Sequence, residues 1–185
     1  MLTSQQLYQQ TFNKTVVLLQ HNQKGNAIAE LLLRIFDYWD KPVDFYLENS
    51  GKSSFSSNGD FIIIQSEQVA ELALNIVLIC EMPNDYSVAE ELLENITDGG
   101  MLVFNEDDNN LKDAVDKYKK PVKKYPYNQL VIPETSKKIF LETDEGNLPI
   151  TINDAFVVRC LIGIKWICQH MGIDEAEFYE AVAAV

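Results

Sequence analysis

The sequence predicts an α/β fold with a mostly parallel sheet flanked by helices. Near-continuous apolar runs, of which Phe61-Ile62-Ile63-Ile64 is the clearest, are typical of strands buried on both faces of a parallel sheet. These runs alternate with segments that carry apolar residues at helical spacing. After residue 125 the pattern changes to short strands and then to helices. This change predicts a small antiparallel extension and a C-terminal helical pair.

The chain begins with a lead segment, a strand and a long helix. A short amphipathic helix, capped by Thr3 or Ser4, is predicted within a lead segment at residues 1–13. Residues 15–19 are apolar and predict the first strand. Residues 26–39 carry apolar side chains at helical spacing, so they predict the helix that follows this strand.

The central elements are predicted from the same two patterns. Apolar runs between polar residues predict strands at residues 43–47, 61–64, 75–79, 101–104 and 122–125. Helical spacing predicts helices at residues 87–96 and 109–119. The Ser, Gly, Asn and Lys residues within 48–58 indicate an exposed loop.

The last third of the chain predicts the antiparallel extension and the helical pair. Short strands are expected at residues 130–132, 138–143 and 148–151. A hairpin turn with Gly146 joins the last two of them. Helices at 153–171 and 174–185 follow, with Gly172 as the C-cap between them. Because the sequence shows no linker or repeat, all 185 residues are expected to form one domain.

The net charge argues against two classes of partner, and the cysteines indicate the redox compartment. A net charge of −13 argues against nucleic acid and anionic membranes, since both require clustered Lys and Arg. The basic residues within 117–124 are interpreted as a solvated helix end. No stretch approaches the ~18 apolar residues of a membrane span, and the N-terminus does not read as a signal peptide. Cys80, Cys160 and Cys168 are predicted to be reduced, buried thiols of a cytoplasmic protein.

The segment after the first strand occupies the position of a phosphate-binding loop, which makes the sheet P-loop-like. It reads Gln20-His21-Asn22-Gln23-Lys24-Gly25. A phosphate loop needs glycines, whose backbone N–H groups close around a phosphate, and a Lys followed by Ser or Thr. This segment keeps Lys24, but its glycine follows the Lys and no hydroxyl stands beside it. The architecture is therefore that of an ATP enzyme, whereas the phosphate-binding chemistry is missing.

The order of these elements resembles the central, ATP-binding domain of the Mur ligases, the amide-forming enzymes of peptidoglycan precursor synthesis. The resemblance covers residues 14–185. Its most specific part is Leu148-Pro149-Ile150-Thr151-Ile152-Asn153, then a long apolar helix and Met171-Gly172-Ile173-Asp174. Residues 60–68 and 75–85 are similar to the strands before the family's two acidic motifs. The resemblance implies a bacterial, cytoplasmic protein.

The chain departs from this family at its functional positions. The family loop reads Gly-Thr-(His/Asn)-Gly-Lys-(Thr/Ser), whereas Gln20 and Gln23 stand here in place of both glycines, and Gly25 in place of the hydroxyl. A metal-binding Glu of the family is matched by Gln65, and its metal-binding His by Asn84. Gln is a poor ligand for Mg²⁺ compared with a carboxylate. The resemblance extends to neither of the family's two flanking substrate domains.

Two groups of residues are the candidates for a site. A vestigial nucleotide site would use Lys24, Gly25 and Asn26 at the start of the predicted helix. The resemblance adds Asn153, which matches the first of two Asn residues at the family's adenine-contacting helix, whereas Phe156 matches the second.

The second candidate is a metal site formed by carboxylates. Glu67, Glu81 and Asp85 follow strands of the predicted sheet, at the edge where sites form in such folds. They would hold a divalent cation there, or they are three solvated acids on loops.

These observations leave two main hypotheses of function. The first is a non-catalytic Mur ligase-like module that binds a protein partner or a second copy of itself, with no cofactor expected. The alternative is a component of an ATP- and Mg²⁺-dependent acid–amino-acid ligase that works with separate substrate domains. A third possibility is a regulator that competes with a Mur ligase for its interface.

Overall fold

The fold is a central sheet with helices on both faces and a separate hairpin. The computed structural model describes residues 2–20, 25–55, 58–67, 69, 71–83, 86–132, 139–143 and 146–184. Its strands are β1 Thr15–Leu19, β2 Asp44–Leu47, β3 Lys52–Ser54, β4 Phe61–Gln65, β5 Leu74–Ile79, β6 Ile96–Asn105, β7 Lys123–Tyr127, β8 Ile139–Thr143 and β9 Gly146–Ile150. Its helices are α1 Ser4–Thr11, α2 Ala27–Tyr38, α3 Tyr86–Glu94, α4 Asn109–Lys117, α5 Ala155–Arg159, α6 Leu161–His170 and α7 Glu175–Ala184.

The main sheet has seven strands in the order β3-β2-β4-β1-β5-β6-β7. Every pairing in it is parallel except that of β2 with β3. Strands β8 and β9 form a separate antiparallel pair. The predicted fold class, a mostly parallel sheet with a small antiparallel extension and C-terminal helices, is therefore confirmed.

Two apolar cores lie on opposite faces of the sheet because its central strands are apolar on both sides. In β1, Val17 and Leu19 belong to the core that includes α2, α6 and α7. Val16 and Leu18 belong to the other core, which includes residues of α1, α3 and α4. Such three-layer packing explains why the strand runs read as continuously hydrophobic. No helix in the described ranges is long and apolar enough to cross a membrane.

Several predicted caps are present in the structure. Thr3 caps α1, and its hydroxyl accepts a hydrogen bond from the Gln6 N–H. Gly172 follows α6 with a φ of +86°. The Ile173 N–H donates to the Cys168 carbonyl at 2.9 Å, which is the Schellman arrangement. At the basic cluster, Lys124 Nζ donates to the Val115 carbonyl at 2.6 Å, so a lysine satisfies the C-terminal end of α4.

Four details of the predicted elements are wrong. The expected loop at 48–58 contains a 3₁₀ turn, Glu48–Ser50, and strand β3, whose short polar sequence gives no periodic signal. Residues 130–132 form no strand. The strand expected at 101–104 begins earlier, at Ile96, so that β6 includes the glycine pair 99–100, where its register with β5 shifts. The helix expected at 153–171 is divided at Cys160 into α5 and α6.

Replacing Gly163 by alanine is expected to destabilise the protein by about 2 kcal/mol. A Cβ at Gly163 in α6 would lie 2.6 Å from Tyr127 Cε1 and 2.9 Å from Cδ1. The Tyr127 ring is buried, so it cannot move into solvent. Overpacking costs about 1–3 kcal/mol, and an approach this close belongs to its upper part, which exceeds the ~1 kcal/mol helix preference of Ala over Gly. Urea unfolding of both proteins measures the difference.

The control for this substitution is Gln169→Ala, on the same helix at a partly exposed position. Its free energy of unfolding is expected to stay within about 0.5 kcal/mol of the parent value. A Gly163→Ala protein as stable as the parent would contradict close packing of the Tyr127 ring on α6.

Candidate functional site

The candidate site lies at the carboxyl edge of the sheet, where β1, β4 and β5 end side by side. Strand β1 pairs in parallel with both β4 and β5, so the three strands end at the same edge. Gln20 follows β1, Gln65 ends β4, and Cys80 and Glu81 follow β5. Ligands of open α/β sheets bind at this edge. The sequence predicts a site at this edge, and the structure places Gln20, Gln65 and Glu81 there.

Gln20 joins the ends of β1 and β5. Its side-chain oxygen accepts hydrogen bonds from the Cys80 N–H at 3.1 Å and the Glu81 N–H at 3.2 Å. Its side-chain nitrogen donates to the Glu81 carbonyl at 2.7 Å. The residue is 8% exposed. A glycine at this position would offer none of these contacts, so Gln20 stabilises the loop entrance with its own side chain.

Gln65 contacts both described residues that flank the loop. Its Nε2 donates to the Gly25 carbonyl at 3.2 Å and to the Gln20 carbonyl at 3.5 Å. Its Oε1 is buried and has no hydrogen-bond partner among the residues that the structure describes. The Gly25 and Gln20 carbonyls therefore face an amide N–H group. Phosphate binding uses backbone N–H groups directed at the ligand, and of the segment 20–25 the structure describes only these two flanking residues.

The start of α2 is the second part of the predicted nucleotide site. Gly25 has a φ of +84°, a conformation that favours glycine, and no heavy atom lies within 4 Å of a Cβ built there. Asn26 precedes α2 without a side-chain capping hydrogen bond, and its Oδ1 is buried without a partner in the part of the chain that the structure describes. The structure therefore brings Gly25 and Asn26 next to Gln65. Lys24 lies outside the described residues.

The predicted metal site is described only in part. The Glu67 N–H donates to Glu48 Oε2 at 2.9 Å, and the Ser66 hydroxyl donates to the same oxygen at 2.9 Å. Glu81 contacts Gln20 through its backbone. Asp85 lies outside the described residues. Among those that are described, no three His, Cys, Asp or Glu side chains come together to hold a metal ion, so the predicted trio stays a prediction.

The end of β6 adds contacts that the sequence reasoning missed. Asn105 Nδ2 donates to the Cys80 carbonyl at 3.1 Å, and Asn105 is 2% exposed. Asp108 Oδ2 accepts from the Met82 N–H at 2.7 Å, while its Oδ1 caps α4. The signal for them was the polar run Asn105-Glu106-Asp107-Asp108 between a strand and a helix. Both side chains join β6 to the segment after β5.

Asn153 lies on the segment between β9 and α5. It is exposed and precedes Asp154, whose Oδ1 accepts from the N–H groups of Phe156 and Val157 and caps α5. The helix predicted to start at Asn153 therefore begins at Ala155, with Asp154 as its N-cap. The chain uses a carboxylate cap there, because an Asp oxygen satisfies two free N–H groups of the first turn.

A buried sulfur cluster lies beneath the edge. The pKa of Cys80 is raised by hydrogen bonding with Cys160 and by burial. Burial raises the pKa of Tyr127, whose hydroxyl is close to both sulfurs. A raised pKa favours the neutral thiol of Cys80 over the thiolate that binds metal ions. Cys168 is also buried, and Cys80, Cys160 and Cys168 form no disulfide, in agreement with the prediction of buried, reduced thiols.

Comparison with known proteins gives matches in fold alone. No protein-family model matches the chain, and no curated protein matches it. A murein peptide ligase from Psychrobacter arcticus superposes with a TM-score of 0.75 at 11% identity, over 98% of this chain and 49% of the ligase. The UDP-N-acetylmuramate:L-alanyl-gamma-D-glutamyl-meso-diaminopimelate ligase from Neisseria meningitides gives 0.69 at 14% identity, over 98% and 68%.

A third match comes from a related class of ligase. The folylpolyglutamate synthetase from Lactobacillus casei superposes with a TM-score of 0.60 at 8% identity, over 95% of this chain and 63% of the synthetase. The chain spans about half the length of the Psychrobacter ligase. Identities this low establish the fold and leave the activity open. The chain therefore has a Mur ligase-like α/β fold, as its sequence pattern predicts.

Proposed function

We propose that this chain is a non-catalytic Mur ligase-like domain that serves as a protein-interaction module. The observation that carries the proposal is the position of Gln65, whose amide donates to the Gly25 and Gln20 carbonyls at the loop entrance. Because its N–H donors are directed at these carbonyls, Gln65 offers a phosphate no donor and offers Mg²⁺ no carboxylate. Phosphoryl chemistry depends on N–H groups and Mg²⁺ at that place, because both neutralise charge on the transferred group.

The surrounding charge supports the same proposal. Glu67 and Glu81 stand at the ends of the neighbouring strands, and the chain has a net charge of −13. The two carboxylates and the negative net charge would repel a polyanion unless a cation lay between them. Gln65 offers one neutral oxygen where a carboxylate would bind Mg²⁺ more strongly. Bound ATP is therefore not expected, and neither is a catalytic metal ion.

Exposed apolar side chains support the interaction role. Tyr8 of α1 is 49% exposed and Phe12, directly after this helix, is 70% exposed, while Val131 is 88% exposed and Phe140 of β8 is 48% exposed. Tyr8 and Phe12 lie at the same end of α1, and exposed apolar side chains that are grouped favour association. The partner is a protein or a second copy of the chain. A link to peptidoglycan precursor synthesis is proposed because two fold matches are ligases of murein peptides and UDP-N-acetylmuramate.

The alternative is an ATP-dependent acid–amino-acid ligase component with separate substrate domains. It is favoured by the start of α2, where Gly25 adopts a φ of +84° and Asn26 makes no side-chain cap. The free N–H groups and dipole of a helix N-terminus suit an anion. Glu67, Glu81 and Asp85 would then supply the metal ligands.

Titration with ATP and Mg²⁺ separates the two functions. We expect no binding heat in calorimetry and no rise in melting temperature at millimolar ATP, because Gln65 supplies neither a phosphate donor nor a carboxylate for Mg²⁺. An active Mur ligase measured under the same conditions is the control and should show both signals. Micromolar, Mg²⁺-dependent affinity would favour the ligase alternative. Light scattering on the same sample reports whether the chain associates with itself.

A further inference from the structure

Gln65 ends β4 and contacts both ends of the loop between β1 and α2. We infer that its amide group is a latch, meaning a hydrogen-bonded link that takes the place of a bound cation there. The inference rests on the proposed function, because it explains how this edge is stabilised without nucleotide or metal. The latch consists of Gln65 Nε2 and the carbonyl oxygens of Gly25 and Gln20.

Each of the two carbonyl oxygens requires a hydrogen-bond donor or a cation. They belong to residues on either side of the loop, and both lie within 3.5 Å of Gln65 Nε2. Buried carbonyl oxygens that face each other without a donor are destabilising. A side-chain amide nitrogen carries two N–H donors, one for each carbonyl. Gln65 is 1% exposed, so bulk water does not compete for these contacts.

The surroundings of Gln65 Oε1 indicate that Nε2, and not Oε1, makes the stabilising contacts of this amide. Its Oε1 is buried and accepts no hydrogen bond from any described residue. Rotating the amide would place that oxygen against the Gly25 and Gln20 carbonyls and would remove both donors from them. The observed orientation therefore leaves one acceptor unsatisfied and keeps both donations. Donation, rather than acceptance, is the contribution of this side chain.

The latch extends to three strands through Gln20. The Gln20 carbonyl contacts Gln65 at the end of β4. The Gln20 N–H donates to the Leu78 carbonyl of β5 at 3.0 Å, and the Gln20 side chain bonds Cys80 and Glu81 beyond that strand. The ends of β4, β1 and β5 are thus joined by the side-chain amides of Gln20 and Gln65 in addition to their backbone pairing.

A Gln65→Glu substitution tests this inference because it keeps the shape and removes both donors. Its ionised carboxylate would face two carbonyl oxygens, so either a bound cation or a proton on the carboxyl group would have to bridge them. We expect the melting temperature of this variant in EDTA to fall by roughly 5–10 °C. Millimolar MgCl₂ should restore at least half of the loss. The parent protein should melt at the same temperature in EDTA and in MgCl₂.

The matched control is Gln65→Met, which has similar length but neither donors nor charge. It should lose stability as well, and MgCl₂ should not restore it. If Gln65→Glu does not fold, hydrogen exchange at the Cys80 and Glu81 amides in Gln65→Met carries the test, with faster exchange expected. The inference is overturned if Gln65→Met is as stable and as protected as the parent, if the parent itself is stabilised by Mg²⁺, or if Gln65→Glu ignores Mg²⁺. ATP binding by the parent would instead overturn the proposed function.

Discussion

Replacing Lys14 by methionine is expected to lower the free energy of unfolding by about 3–5 kcal/mol. Lys14 Nζ lies 2.8 Å from Asp44 Oδ2 and 2.6 Å from the Gly59 carbonyl that accepts its hydrogen bond. The Asp44 side chain is 1% exposed, whereas that of Lys14 is 18% exposed. Methionine keeps much of the length but leaves the buried carboxylate without its counter-ion. Urea unfolding at neutral pH measures the loss.

The double variant Lys14→Met with Asp44→Leu separates the charge effect from packing. It should recover more than half of the lost free energy, because no buried charge remains. Lys14 precedes β1 and Asp44 begins β2, so the pair lies at the sheet edge opposite Gln65. Ligand measurements at the candidate site should therefore be unaffected. A loss below about 1 kcal/mol in Lys14→Met would show that the Asp44 carboxylate does not depend on this lysine.

The sequence predicts the central strands well because burial on both faces makes them continuously apolar. The first strand was predicted at residues 15–19 and is observed at Thr15–Leu19. Its apolar run is continuous since both faces are covered by helices. Strand β3, Lys-Ser-Ser, was missed because it is held by backbone pairing with β2 and has no apolar side chain. The break at Cys160 was missed since apolar residues continue across it.

The sequence also locates the candidate site but not its contacts. Gln20 and Gln65 were identified as departures from the residues that hold phosphate and metal. Their hydrogen bonds to the Glu81 and Gly25 carbonyls were not predicted, because these partners are separated by 61 and 40 residues in the chain. Only the parallel arrangement of β4, β1 and β5 brings them together. A polar side chain at a strand end therefore predicts the edge of the site, while its role depends on backbone partners.

Replacing Phe178 by alanine is expected to destabilise the protein by about 3–5 kcal/mol. Phe178 is fully buried in the core that α7 shares with α2 and α6. Truncation removes most of the ring and leaves a cavity, because the neighbouring helices are themselves packed on the sheet. Urea unfolding followed by circular dichroism measures the loss.

The Phe178→Leu variant is the control, since leucine retains much of the buried apolar volume. It should cost roughly 1–2 kcal/mol. Polar contacts join α7 to α2 independently of the ring, because Trp39 Nε1 donates to the Glu177 carbonyl at 3.1 Å and the Tyr38 hydroxyl donates to Glu180 at 3.0 Å. If Phe178→Ala costs no more than Phe178→Leu, these contacts rather than the ring hold α7 in place. A larger difference, with loss of amide protection confined to α7, would show that the ring anchors this helix to the core.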